Sequence, residues 1–140
     1  MRSIAQILSD SKTIAIVGLS NKPDRASHEV AAYLQEHGYR IVPVNPSYAG
    51  QTILGETVHA TLQEAADALA PSGQRIDIVD CFRKSEDIPP IARDAIAVRA
   101  GCLWMQLEIE NQAAADLARA AGLDVVMNYC IKIEHRKLDA

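Results

Sequence analysis

Cysteine is scarce: there are three in 140 residues, with no C-x-x-C spacing. An odd, scattered set supplies neither a disulfide framework nor a zinc site, and it fits a reducing compartment, the cytoplasm being the plain expectation. Long apolar runs are missing too. Nowhere do about 18 apolar residues follow one another, and the N-terminal MRSIAQILSD lacks the apolar core and small-residue cleavage site of a secretory leader. No membrane association is expected. Positive charge is in deficit, with 14 Lys and Arg against 18 Asp and Glu and a net charge of -4. The basic residues are scattered, which argues against a nucleic-acid binder held by a general basic field. An anionic partner would have to be met by a local site. Linkers, internal repeats and low-complexity segments are also absent. The 140 residues, 49% of them apolar, therefore read as one domain, residues 1–140, able to bury its own core.

What is present is alternation. After a short helix near residues 3–9, Thr13 to Val17 is the unbroken apolar run of a strand covered on both faces. Ser27 is expected to cap a helix carrying Val30, Tyr33, Leu34 and His37 at helical spacing, closed by Gly38. Arg40 to Val44 reads as a second strand. Asn45-Pro46 stops it, because proline lacks the amide hydrogen and restrains the residue before it. A turn-rich stretch, Ser47 to Val58, leads to a helix that Thr61 and Glu64 would box and Pro71-Ser72-Gly73 would end.

Ile76 to Val79 reads as a third strand, and Pro89-Pro90 open a helix running towards Gly101. Cys102 to Met105 is a fourth strand, Asn111 to Ala121 a helix, and Val125-Val126 a fifth strand before a tail from Asn128 to Ala140. Such βαβ alternation specifies an α/β fold, a doubly wound parallel sheet of about five strands with helices on both faces, since each right-handed crossover restores the strand direction. Ligands of these sheets sit outside the carboxyl ends of the strands, where strand order reverses. That directs attention to the loops after Val17, Val44, Val79, Met105 and Val126.

The first of these loops is GLSNKPDRAS, residues 18–27. Gly18 permits a tight turn and close backbone approach, and the helix that follows aims its amide hydrogens and positive dipole end at the crevice. A dinucleotide fingerprint is nevertheless absent. The second and third glycines of G-x-G-x-x-G are replaced by Ser20 and Pro23, and Val44-Asn45-Pro46 lacks the acidic residue that binds a ribose 2′-hydroxyl. NAD is disfavoured on both counts. The loop is instead basic, with Lys22 and Arg25, and Arg83 and Lys84 follow the third strand. These cations are either solvated loop charges or ligands of several phosphates, and their position at strand ends favours the second reading.

Four segments together resemble a known family: VGLSNKPDRASHEVAAYLQEHGYRIVPVNP (17–46), DIVDCFRK (77–84), LWMQLEIEN (103–111) and MNYCIKIEH (127–135). They are similar to the small stand-alone bacterial and archaeal CoA-binding proteins, related in fold to the CoA-binding domain of the succinyl-CoA synthetase α subunit. The resemblance extends from Thr13 to Leu138. It implies a Rossmann-like domain that binds coenzyme A or an acyl-CoA non-covalently, as a carrier, sensor or regulatory module. Carried over by position, Gly18, Leu19 and Ser20 with Lys22, Pro23 and Arg25 would hold phosphates and ribose. Ser27 would cap the helix and donate to the diphosphate. Pro43, Val44 and Asn45 would line the nucleotide, and Phe82 with Arg83 would close the opposite wall. Tyr129 departs from the family pattern, where a charged residue is expected. The chemistry agrees: a diphosphate plus a 3′-phosphate asks for a helix N-terminus and extra cations, and adenine asks for an apolar slot.

Catalysis is not indicated. His28, His37, His59 and His135 have no nucleophile and acid beside them in sequence, and there is no triad signature, H-E-x-x-H or P-loop. Trp104 and Met105 read as core, Glu108 and Glu110 as a solvated loop, and no metal is expected. Cys102 also reads as core. Cys81 and Cys130 follow strand ends, so each is either a small buried side chain or a thiol that could exchange with that of coenzyme A. Two rival readings remain: a small NAD(P)-linked or acyl-CoA-dependent enzyme, and an interaction module that binds another nucleotide and signals through a partner or a homodimer.

Overall fold

The computed structural model describes residues 1–139; Ala140, the end of the expected 1–140 domain and tail, lies outside the described residues. Helix α1 (Ile4–Asp10) begins at a reciprocal cap, Ser3 Oγ accepting from the Gln6 amide and the Gln6 side chain accepting from the Ser3 amide. Then come β1 (Thr13–Val17), α2 (Ala26–Glu36), β2 (Arg40–Val44), a small hairpin of β3 (Thr52–Ile53) and β4 (Glu56–Thr57), α3 (Leu62–Leu69) and β5 (Ile78–Cys81). The chain continues through α4 (Ile88–Ala97), β6 (Cys102–Met105), α5 (Gln112–Ala120), β7 (Asp124–Val126) and α6 (Ile131–Arg136). The five long strands form one parallel sheet in the order β2-β1-β5-β6-β7. Strand order reverses beside β1, so the crevice opens between the ends of β1 and β5.

Alternate strand residues feed two separate cores. Ala15, Val17, Val44, Val79, Leu103 and Met105 face α3, α4 and α5. Ile14, Ile16, Ile78 and Trp104 face α1, α2 and α6. Burial on both faces is why the strands read as continuous apolar runs, and each fully buried large side chain contributes about 1.5–3 kcal/mol. Pro43 sits in edge strand β2, where a missing amide hydrogen costs no ladder bond; its carbonyl accepts from His59, whose own carbonyl accepts from Asn45.

Several expectations shift. Ser27 is not the cap of α2: Arg25 holds that place with no side-chain bond, and Ser27 is buried inside the first turn. The third strand starts two residues later than expected, after Asp77, whose carboxylate accepts from the Lys12 and Thr13 amides, and it runs on through Asp80 and Cys81, which pair with β1 and β6. The turn-rich stretch contains the β3–β4 hairpin, turned by Leu54 and Gly55 in left-handed conformations. The tail folds as α6, whose Ile131 is fully buried. The helix expected to reach Gly101 ends at Ala97, with Arg99 in a left-handed conformation. No helix among the described residues is long and apolar enough to cross a membrane.

Candidate functional site

The loop after β1 is locked from three sides. Gly18 adopts φ +90°, and its amide donates to the Val44 carbonyl at the end of β2. A Cβ at this position would stand 2.6 Å from the Phe82 carbonyl oxygen and 3.1 Å from Cδ of Arg83. Only glycine therefore allows the exits of β1 and β5 to lie this close. Leu19 is fully buried, and its carbonyl accepts from Asn45 Nδ2 at 3.0 Å. Asn45 Oδ1 accepts from the Ser47 amide, so this side chain is spent on joining the two loops. Ser27 Oγ accepts from the Ser20 amide at 3.0 Å, and Ser20 Oγ accepts from the Lys22 amide at 3.1 Å. A chain of short bonds thus folds the loop back over the N-terminus of α2.

Beneath it lies a cavity of about 300 Å³, lined by Gly18, Ser20, Lys22, Arg25 and Ser27 with Phe82 and Tyr48 on its apolar side. A second depression of about 500 Å³ lies on the other face of the sheet, between Val17, Val44 and Leu62 and the start of α4 at Pro90 and Ile91. Arg83 lines this second cavity while its stem lies beside Gly18 in the first. The two cavities therefore flank the ends of β1 and β5, one on each face. Lys22, Arg25, Arg83 and Lys84 are exposed and have no carboxylate partner among the described residues. Asp24 shares the first loop and Glu86, Asp87 and Asp94 line the second cavity with Arg83, so the cations stand unpaired but among acids, with the positive end of α2 adding to their side.

The expected residues thus separate into groups. Gly18, Ser20, Lys22, Arg25, Ser27 and Phe82 come together around the first cavity, and Val44 and Arg83 border the second. Leu19 and Asn45 lie behind the wall as braces, Pro43 lines a different depression beside His59 and Glu56, and Pro23 is exposed on the loop. Sequence reasoning missed Tyr48, which a short 3-10 turn after Asn45 carries into the first cavity. The signal was Asn45-Pro46, which initiates that turn as well as stopping the strand.

The thiols differ in availability. Cys81 is fully buried at the end of β5, and burial together with Asp80 and Cys102 pushes its ionisation well above the ordinary range, so it does not face the crevice. Cys102 is buried as expected, and burial raises it as well. Cys130 is half-buried at the start of α6. Asp80 is fully buried, neither carboxyl oxygen has a hydrogen-bond partner, and burial pushes its carboxyl well above the usual carboxylate range. Among the described residues no three His, Cys, Asp or Glu side chains gather as a metal site.

Residues 12–136 match a family model described as a CoA binding domain. A curated relative, the uncharacterized protein YneT of Bacillus subtilis (strain 168), is 39% identical over 132 residues, 94% of this chain and 91% of its own. A solved structure from Thermus thermophilus, cell-free ID.343, superposes with a TM-score of 0.85 at 33% identity over 96% of each chain. A hypothetical protein from Pyrococcus horikoshii OT3 gives a TM-score of 0.85 at 35% identity, over 98% of this chain and 90% of its own.

Proposed function

Since the chain belongs to the CoA-binding domain family, we propose that it binds coenzyme A or an acyl-CoA non-covalently in the crevice between β1 and β5, and acts as a carrier, sensor or regulatory module rather than as an enzyme. One arrangement carries this reading: the Gly18 turn pressed against the Phe82 carbonyl, with unpaired Lys22 and Arg25 beside it and Arg83 reaching the second cavity. The diphosphate would lie over the N-terminus of α2, bound by amides and by Lys22 and Arg25. Adenine would enter the second cavity against its apolar side, formed by Val44, Leu62 and Ile91, with Glu86, Asp87 and Asp94 on its polar side. Arg83, which lines that second cavity, is then suited to the 3′-phosphate.

The test is a thermal-shift comparison of coenzyme A, NAD and ATP on the purified chain. At about 100 times the dissociation constant, linkage supplies roughly 2.7 kcal/mol, a rise on the order of 10 °C for a domain of this size. Coenzyme A should give that rise and the other two much less. Protection by NAD or ATP with none from coenzyme A would reject the reading.

A further inference from the structure

The two loops beyond the crevice, after β6 and after β7, hold features that the phosphate site does not use. Glu108 (φ 71°) and Asn128 (φ 65°) are non-glycine residues in left-handed conformations, and the Glu108 amide donates to Asn128 Oδ1 at 2.6 Å. The Tyr129 backbone is pinned as well: its carbonyl accepts from Trp104 Nε1 at 2.8 Å, and its amide donates to the Met105 carbonyl. These fixed, adjacent loops expose two large apolar side chains, Leu107 at 56% and Tyr129 at 47%. Strained backbone held in place by several bonds, next to exposed apolar surface at the carboxyl ends of strands, marks a surface kept for a ligand.

Taking the coenzyme-binding reading as its basis, we infer that Leu107 and Tyr129 receive the acyl end of a bound acyl-CoA, so that the chain prefers acyl-CoA with an apolar acyl group to free coenzyme A. Three observations select this occupant. Strand order places β5, β6 and β7 in sequence beside β1, so the β7 exit lies about 14 Å along the sheet edge from Gly18. A pantetheine arm extends about 15 Å from its phosphate, by ordinary covalent geometry, and is therefore long enough to end there. Cations run out along the same path. Four cations, Lys22, Arg25, Arg83 and Lys84, stand at the β1 and β5 exits among the acids Asp24, Glu86 and Asp87, whereas residues 106–110, QLEIE, carry no cation and two acids, and residues 127–130, MNYC, carry no charge. An anionic end is thereby disfavoured at β6 and β7 and a neutral arm is accepted. The second cavity is bounded, at about 500 Å³, and is suited to a flat base; the rim at Leu107 and Tyr129 is open to chains of different length.

The experiment measures dissociation constants for coenzyme A, acetyl-CoA and octanoyl-CoA by calorimetry, on the wild type and on the double variant Leu107→Ser, Tyr129→Ser. Both positions are exposed, so the variant should fold, and its melting temperature without ligand checks this. The lone Trp104 bonds to the Tyr129 carbonyl, so its fluorescence reports arrival of the acyl chain independently. The wild type should bind octanoyl-CoA about tenfold more tightly than coenzyme A, which corresponds to burying roughly two methylenes. The variant should lose that preference while its affinity for coenzyme A stays within about twofold. Equal wild-type affinities for octanoyl-CoA and coenzyme A overturn the acyl assignment alone, as does a preference that survives in the variant. Absence of binding by every CoA species overturns the underlying reading as well.

Discussion

Gly18 and Phe82 approach so closely that a single added methyl group at residue 18 would lie 2.6 Å from the Phe82 carbonyl oxygen. Their contact sets the spacing of the β1 and β5 exits, and hence the width of the proposed phosphate cradle. Gly18→Ala adds that clash to the strain of a left-handed backbone, so it should cost about 2 kcal/mol or more in a urea titration and weaken coenzyme A at least tenfold. Gly38 is the matched control. It also has positive φ, +94°, but a Cβ there meets nothing, so Gly38→Ala should cost about 1 kcal/mol and leave ligand affinity unchanged.

Arg25 and Arg83 stand on different cavities and should be separable by ligand chemistry. If Arg83 meets the 3′-phosphate, Arg83→Ala weakens coenzyme A by about tenfold and 3′-dephospho-CoA by little, whereas Arg25→Ala weakens both equally. Equal losses for Arg83→Ala would move that residue to the diphosphate. Raising salt should weaken binding of the wild type, because all four cations are exposed.

The fold was legible where a single physical rule acts alone. Thr13 to Val17 needed only burial on both faces, and Asn45-Pro46 only the missing amide hydrogen. Legibility failed where a distant partner decides. Ser27 looks like a cap, yet the Ser20 amide seven residues earlier claims its hydroxyl and draws it inside the first turn. Asp77, expected within the third strand, instead accepts through its carboxylate from the amides of Lys12 and Thr13, 65 and 64 residues away. The site followed the same division. Gly18, Lys22 and Arg25 could be read from the loop, while Leu19 and Asn45 proved to be braces because their bond spans two strand exits. Tyr48 and the pair Leu107 and Tyr129 gave no periodic signal.

Cysteine chemistry should follow burial. Native protein should react with one equivalent of a thiol reagent, at half-buried Cys130, and unfolded protein with three. Exchange with oxidised coenzyme A, if it occurs, is then confined to Cys130: a thiolate there would displace one coenzyme thiolate and form one mixed disulfide. Intact mass should show at most one adduct, lost in Cys130→Ser. An adduct that persists in that variant would mean that β5 or β6 opens to solvent.

Asp80 offers the sharpest test of the core. It lies in register between Ile16 and Trp104, with neither oxygen hydrogen-bonded, and burial raises its carboxyl well above the usual carboxylate range. In the unfolded chain the group ionises near the ordinary value, while in the folded chain it keeps its proton to higher pH. The unfolded state therefore gains stability first. Folding stability is full below about pH 4 and declines as pH rises towards the folded value, by at most about 1.4 kcal/mol per pH unit from this residue. Asp80→Asn keeps the shape and removes the titration, so the difference in stability, variant minus wild type, should grow with pH from about pH 4 upward. Because the amide brings its own unpaired hydrogens, the slope and not the offset is diagnostic. Parallel stability curves from acid to neutral pH would mean that Asp80 is already ionised in the folded protein, with water or another donor reaching a carboxylate that here has none.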